Sequence, residues 1–451
     1  MIQIPSHAPT AAPSTPSPHA STDGRWRRRT AACLAALLLA GCATTDLPPI
    51  SQHGQHFEAL PDERALWDEA IEEEAVMLEH VVLYDDPLLE DYLHELVDLL
   101  EPPGMAANPD LRYTVRVIDD PALNAFAYPH GSLYLHTGLL ARLEDEAQLA
   151  TVLAHEMTHV EHRHMLRYRR GMHNRQMAIG AIALAASVLA SIDAWDEAAE
   201  GDYAAAAAIE LFSSVLINVG AELAFLASVN GYGRELEWEA DYGAFDKMAA
   251  AGFDVDQGAV VYEILQEGHD GPSDLEVFFF GSHPRLEERR HAAISWSTAR
   301  SSGTELAAAP TATDPALEPP PETPPETATT AIAQTEAERR ERFVARLQPV
   351  VAGEASANFE IGRLALAEQQ TTRALAAAPR NPSLHLLAAE LHLAQADERP
   401  EEEPQRRDQA RQALDRARAL ELDTATSERL DALDARLGAT GDTQAAQLGG
   451  R

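Results

Sequence analysis

The stretch that decides the reading is Ala150 to His164, ATVLAHEMTHVEHRH, which contains His155-Glu156-Met157-Thr158-His159 in the pattern H-E-x-x-H. On a helix, residues four apart project from one face. His155 and His159 can therefore each offer a ring nitrogen to one zinc ion, while Glu156 can act on a water without being a ligand. This is zinc hydrolase chemistry. The helix is predicted from the surroundings, because Leu149, Val152, Leu153, Met157 and Val160 recur at helical spacing. His155, Glu156 and His159 fall along one edge of that apolar stripe, so the motif is expected at the border of core and cleft. A bare H-E-x-x-H is suggestive only, and a third ligand has to be found.

Two continuations can be tested. A metzincin would read on as H-x-x-G-x-x-H, but His162 stands at the glycine position and Met165 at the last histidine, so that reading fails. The gluzincin variant needs a glutamate on a second helix. Arg234-Glu235-Leu236-Glu237-Trp238-Glu239-Ala240-Asp241 supplies one. Glu237 and Asp241 share a face, with Glu237 the expected ligand and Asp241 the carboxylate that orients a ligating imidazole, while Glu235 and Glu239 point elsewhere. Taken alone, the run also fits an acidic solvated face.

With these motifs stand Asn124-Ala125-Phe126-Ala127, Gly131 to Gly138, Asp145-Glu146, Leu149-Ala150 and Ser282-His283-Pro284. Their order resembles that of the gluzincin zinc metallopeptidases of the HtpX, LoiP, BepA and prenyl-protein-protease family, over roughly Leu60 to Arg300. The resemblance implies one zinc ion per chain, ligated by His155, His159 and Glu237, with Glu156 as general base. It also implies that His283 faces the metal, either as a regulatory extra ligand or as a transition-state donor. Arg289 matches an arginine position of the family, where it braces the loop or a carboxylate; without the resemblance it reads equally as a surface arginine. Thr158 stands where such proteins often carry glycine, and offers no ligand.

The chain has 451 residues, enough for two or three domains, and a formal charge of −37, which argues against nucleic acid and against a polybasic membrane contact. Arg25 to Arg29, the apolar run Ala31 to Ala40 and Leu39-Ala40-Gly41-Cys42 read as a secretion signal ending in a lipobox-like sequence. Cys42 is the expected lipidation site, with an ordinary signal peptide as the alternative. Cleavage would remove Cys33 and leave no intramolecular disulfide. Ala43 after the cysteine favours an outer-membrane anchor facing the periplasm, by analogy with lipoprotein sorting.

The expected organisation is a signal peptide at 1–41, a tether at 42–60, a peptidase domain at 61–303, a disordered Pro/Thr/Ala linker at 304–334, a helical segment at 335–440 and a disordered tail at 441–451. The expected class is α+β: a mainly helical zincin-type domain with a small antiparallel sheet, then repeats resembling tetratricopeptide units. Two amphipathic helices are predicted from Pro61 to Leu100, strands at 112–119, 124–128 and 132–136, and helices continuing from Asp241 to about Ala251, over Val260 to Glu267, and from Leu286. A strand beside the active helix would let an extended substrate add to its edge, which assigns Asn124, Ala125 and Phe126 to substrate binding. His130 and His136 are expected at the surface. His164 is expected as a hydrogen-bonded core histidine and His162 in contact with solvent. Two Ala-rich runs, 177–192 and 204–228, read as helices packed over the cleft or dipping against the bilayer.

In the C-terminal segment Arg373-Ala374-Leu375 returns in part as Gln412-Ala413-Leu414, a spacing that suggests one and a half to two degenerate repeats or a generic helical hairpin. So few repeats are expected to dock on the protease domain or on a partner. The expected substrates are misfolded or unassembled envelope proteins, with the repeats as adaptor to outer-membrane assembly machinery. A rival reading is an assembly factor whose zinc site is latched by His283.

Overall fold

Local capping sets the first elements. Pro61 opens α1 (Pro61–Leu78) and Pro87 opens α2 (Pro87–Leu100), at positions where the missing N–H has no helical partner to lose. Asp86 caps α2 by accepting from the Leu88 and Leu89 amides at 3.0 and 3.2 Å. In this computed structural model the residues described are 43–106, 108, 110–177, 233–269, 286–302 and 335–448. The leader, nearly all of both Ala-rich runs, Ser282-His283-Pro284 and the linker lie outside them.

The chain divides into two compact units, residues 1–45 with 169–224 and residues 46–168 with 225–451. In the first, Asn174 brackets Ala43, accepting from its amide at 3.0 Å and donating to its carbonyl at 2.7 Å. The second holds every other element described below.

Its sheet comprises β1 (Thr114–Ile118), β2 (Ala125–Ala127) and β3 (Ser132–His136) in the order β1-β3-β2. β2 and β3 form an antiparallel hairpin, with Phe126 opposite Tyr134, but β1 runs parallel to β3, with Arg116 opposite Tyr134. The sheet is therefore mixed rather than antiparallel. The connection from β1 crosses to the far side before β2 begins, so the hairpin returns β3 between its predecessors. β3 is accordingly the most buried strand, as a strand covered on both faces should be. Val82 and Tyr84 bond to the outer side of β1 at Asp119 and Val117. Among the described residues no strand pairs with the outer edge of β2.

The motif helix is α3 (Glu146–Glu161), capped by Asp145, which accepts from the Ala147 amide at 2.7 Å. All of its residues are buried, where a helix with one cleft-facing edge was expected. The extra cover comes from α4 (Arg234–Ala250), α5 (Gln257–His269), α6 (Leu286–Ser302) and the C-terminal helices. Gly252, with φ 76°, takes the chain out of α4 as expected of a left-handed stop.

Five helices follow: α7 (Glu336–Glu360), α8 (Leu364–Ala377), α9 (Pro382–Glu398), α10 (Glu403–Arg418) and α11 (Thr424–Leu448). They stack as successive hairpins, and Ala374 and Ala413, the partly repeated positions, are both buried. This arrangement is compatible with a helical repeat. The last helix continues past residue 440 into the stretch read as a tail. The segment also docks: Phe343, Leu347, Val350 and Val351 of α7 belong to the same apolar cluster as α2, α3 and the sheet. Arg342 bridges Glu95 at 2.9 Å and Glu146 at 2.6 Å, and Arg373 donates to the carbonyls of Ala141 and Leu143. At the other end the region read as a tether is packed too, since Ile50 and Phe57 are buried in that cluster.

Candidate metal centre

α3 and α4 lie against each other and bring three donors together. His155 Nε2 and His159 Nε2 are 3.0 Å apart, and Glu237 places Oε2 3.6 Å from the first and Oε1 3.6 Å from the second. Donors about 2.0–2.1 Å from a tetrahedral zinc stand roughly 3.3–3.4 Å from one another, so this triangle fits such an ion with small adjustments. His155, His159 and Glu237 thus form a group that could hold a metal, in the arrangement expected from sequence. Glu156 is buried beside His155 on the same helix.

Asp241 approaches the other ring nitrogen of His155, Oδ1 to Nδ1 at 2.9 Å, as an orienting carboxylate should. Arg289 holds that carboxylate with two prongs, and Tyr262 donates its hydroxyl to Oδ1 at 2.6 Å. Arg289 also reaches Glu237 at 3.4 Å and lies over the Tyr262 ring. Of the two positions considered for this arginine, it therefore braces a carboxylate. Burial would raise the Asp241 pKa, but Arg289 and His155 outweigh it and hold it below the usual range. For His155, burial and Arg289 press downward, yet Asp241 and Glu237 prevail and the imidazole rises to about 9. A site this electronegative attracts a cation, and a metal would displace the proton.

Beyond the helix end stands a second group, His162, His164 and Glu239. His164 is fully buried with Nδ1 2.8 Å from His159 Nδ1, so the core-histidine expectation holds. His162 does not simply face solvent: its Nδ1 meets Glu239 Oε1 at 2.7 Å. Arg167 donates to both oxygens of Glu239 at 2.7 and 2.8 Å. Sequence reasoning set Glu239 aside because it faces away from Glu237, and it missed Tyr262, which carries no motif.

Thr158 is accommodated by its surroundings. It donates to the Ala154 carbonyl at 2.7 Å and accepts from Lys247 at 2.9 Å. Opposite it stands Gly243, where an added Cβ would come within 2.5 Å of Thr158 Cγ2. The larger residue on α3 is matched by the smallest one on α4.

Among the expected substrate residues, the Asn124 and Ala125 side chains are buried and Phe126 is half-buried, stacked on Tyr134 with centroids 5.2 Å apart. What β2 leaves accessible is its backbone edge. A small depression lies beside His159, lined by Leu66, Trp67, Ala127, Pro129 and Leu166 among others. His130 and His136 are half-buried and bond to Glu74 and Asp120 at 2.9 and 3.2 Å, away from the metal group. His283 lies outside the described residues.

A buried H-E-x-x-H helix, a glutamate from α4 packed against it and a mixed sheet at the helix's side define a metallopeptidase domain. Residues 87–297 match the profile of Peptidase family M48, and the chain carries an M48 peptidase domain over that span. Over 207 residues it is 31% identical to a putative beta-barrel assembly-enhancing protease of Vibrio cholerae, covering 46% of this chain and 38% of that one. It is 28% identical over 190 residues to the mitochondrial metalloendopeptidase OMA1 of Schizosaccharomyces pombe, covering 42% and 47%. A beta-barrel assembly-enhancing protease of Escherichia coli is 34% identical over 112 residues, covering 23% and 22%. The chain thus matches less than half the length of each of these relatives. No helix among the described residues is long and apolar enough to cross a membrane.

Proposed function

We propose that this protein is a zinc-dependent endopeptidase of the bacterial cell envelope that hydrolyses peptide bonds in misfolded or unassembled envelope proteins. The observation that carries the reading is the convergence of His155, His159 and Glu237 next to Glu156. When bound, zinc would polarise the scissile carbonyl and acidify a water. Glu156 takes the proton of the attacking water and returns it to the leaving amine. Asp241, held by Arg289 and Tyr262, fixes the ring of His155. The outer edge of β2 receives extended substrate backbone. His283, by the family resemblance, donates to the developing oxyanion or latches the site.

The envelope assignment rests on the leader ending at Cys42 and on the two relatives named as beta-barrel assembly-enhancing proteases. On this reading Cys42 carries a lipid anchor in the outer membrane, and α7 to α11 present partners or substrates to the site. The test is cleavage of casein by wild type, Glu156→Gln and His283→Ala, with zinc content measured for each. Wild type or His283→Ala should cleave, and Glu156→Gln should hold zinc without cleaving. Failure of all three at full zinc occupancy would shift the function to the helical repeats as an assembly factor.

A further inference from the structure

His159 and His164 are five positions apart, and on a straight helix such residues point about 140° away from each other. Here their Nδ1 atoms are 2.8 Å apart. The contact exists because the chain turns two residues beyond the end of α3 at Arg163, whose backbone is left-handed with φ 58°, the only non-glycine residue with positive φ among those described. A long side chain in that conformation is strained, and such strain persists only where the surroundings impose it. Glu63 of α1 imposes it, bonding Arg163 Nε at 2.7 Å and Nη2 in a buried two-pronged pair. Past this turn, helical backbone resumes at residue 164 and His164 is folded back onto the ring of His159.

The far side of His164 meets a fixed charge. Its Nε2 faces Glu239 Oε1 at 3.6 Å, and Glu239 is gripped by Arg167 and His162. A carboxylate at that distance favours the tautomer of His164 protonated on Nε2, which leaves Nδ1 as an acceptor. His159 must keep Nε2 free for a cation and so carries its proton on Nδ1, which that acceptor receives.

We infer that His164 and Glu239 are positioning residues for His159, a second buttress that does for this imidazole what Asp241 and Arg289 do for His155. The inference rests on the zinc reading above. It gives the strained turn at Arg163 a purpose, and it gives Glu239 one distinct from that of Glu237, two residues away on the same helix. Each candidate ligand histidine is then locked from a different direction, His155 from α4 and α6 and His159 from the turn beyond α3.

The experiment measures zinc affinity of the full chain by chelator competition, together with the absorption spectrum of the cobalt-substituted protein, for wild type, His164→Leu, His164→Gln and Glu239→Gln. Loss of such an outer partner typically weakens metal binding about 10–100-fold. His164→Leu and Glu239→Gln should fall in that range with altered cobalt bands and unchanged far-ultraviolet circular dichroism. His164→Gln, which keeps an acceptor, should recover part of the loss. Glu239 is part-exposed, so its variant keeps the question answerable where His164→Leu fails to fold. Wild-type affinity and spectra in both Glu239→Gln and a folded His164→Leu would overturn the inference. So would a second ion per chain that is lost in Glu239→Gln, because His164 would then be a ligand itself. A wild type that binds no zinc would overturn the functional reading on which the inference stands.

Discussion

Arg289 on α6 grips Asp241 on α4 through two bonds, Nε to Oδ2 at 2.9 Å and Nη2 to Oδ1 at 2.6 Å, with both side chains buried. The pair stands directly behind His155, so α6 reaches the candidate metal centre through Arg289.

Removing one partner of such a pair leaves a buried charge uncompensated. Arg289→Met should destabilise the metal-free protein by about 3–5 kcal/mol. Arg289→Lys should recover only part of that, because an ammonium cannot reproduce the planar fork. Urea unfolding at neutral pH measures both, and a loss within half of one kcal/mol for the methionine variant would show that the pair contributes little.

The Thr158 and Gly243 match predicts a coupled pair. Gly243→Ala should cost about 1–3 kcal/mol by overpacking α3 against α4. In a Thr158→Ala background the same change should cost clearly less, since the methyl it strikes is gone. A double-mutant cycle in urea measures the coupling, and additive effects would contradict the contact.

The first C-terminal helix, α7, packs into the peptidase core, while α9 to α11 share a cluster of their own. Phe343 is fully buried in the cluster shared with α2 and α3, so Phe343→Ala should destabilise the peptidase domain itself by about 3–5 kcal/mol. The check is hydrogen exchange of α3 amides in the variant. Unchanged α3 protection together with loosened α7 would mean that the two regions unfold independently.

Glu74 gives the molecule an acid-sensitive fastening between α1 and the sheet. Tyr134 donates to it at 2.6 Å and His130 meets it at 2.9 Å. Burial would raise its pKa, but Tyr134, Ser132 and His130 bring it below the ordinary 4.5. A carboxylate depressed in the folded state stabilises above its unfolded pKa and loses that contribution as pH falls through the folded one. Glu74→Gln should therefore be less stable than wild type near neutral pH, with the gap closing as pH falls below the ordinary 4.5 and through the lowered folded-state value. A gap that persists in acid would assign the effect to packing rather than charge.

How much was legible depended on how far the relevant contacts reach along the chain. The helices from Pro61 to Leu100, the strands around Val115 and Leu133, and the stop at Gly252 follow from caps, alternation and backbone preference within a few residues. The metal group was legible for the same reason: His155 and His159 share a helical face, and Glu237 and Asp241 repeat that spacing on α4.

By itself the sequence determined the candidate ligand types, the helices that carry them and the candidate base beside them, because one turn of helix places each set. Only the tertiary structure decided that β3 pairs in parallel with β1, that α7 fills the peptidase core, and that a strained Arg163 turns His164 back onto His159. Each of these depends on surfaces far apart in the chain meeting at close range, where shape and buried charge outweigh the periodicity of any one segment.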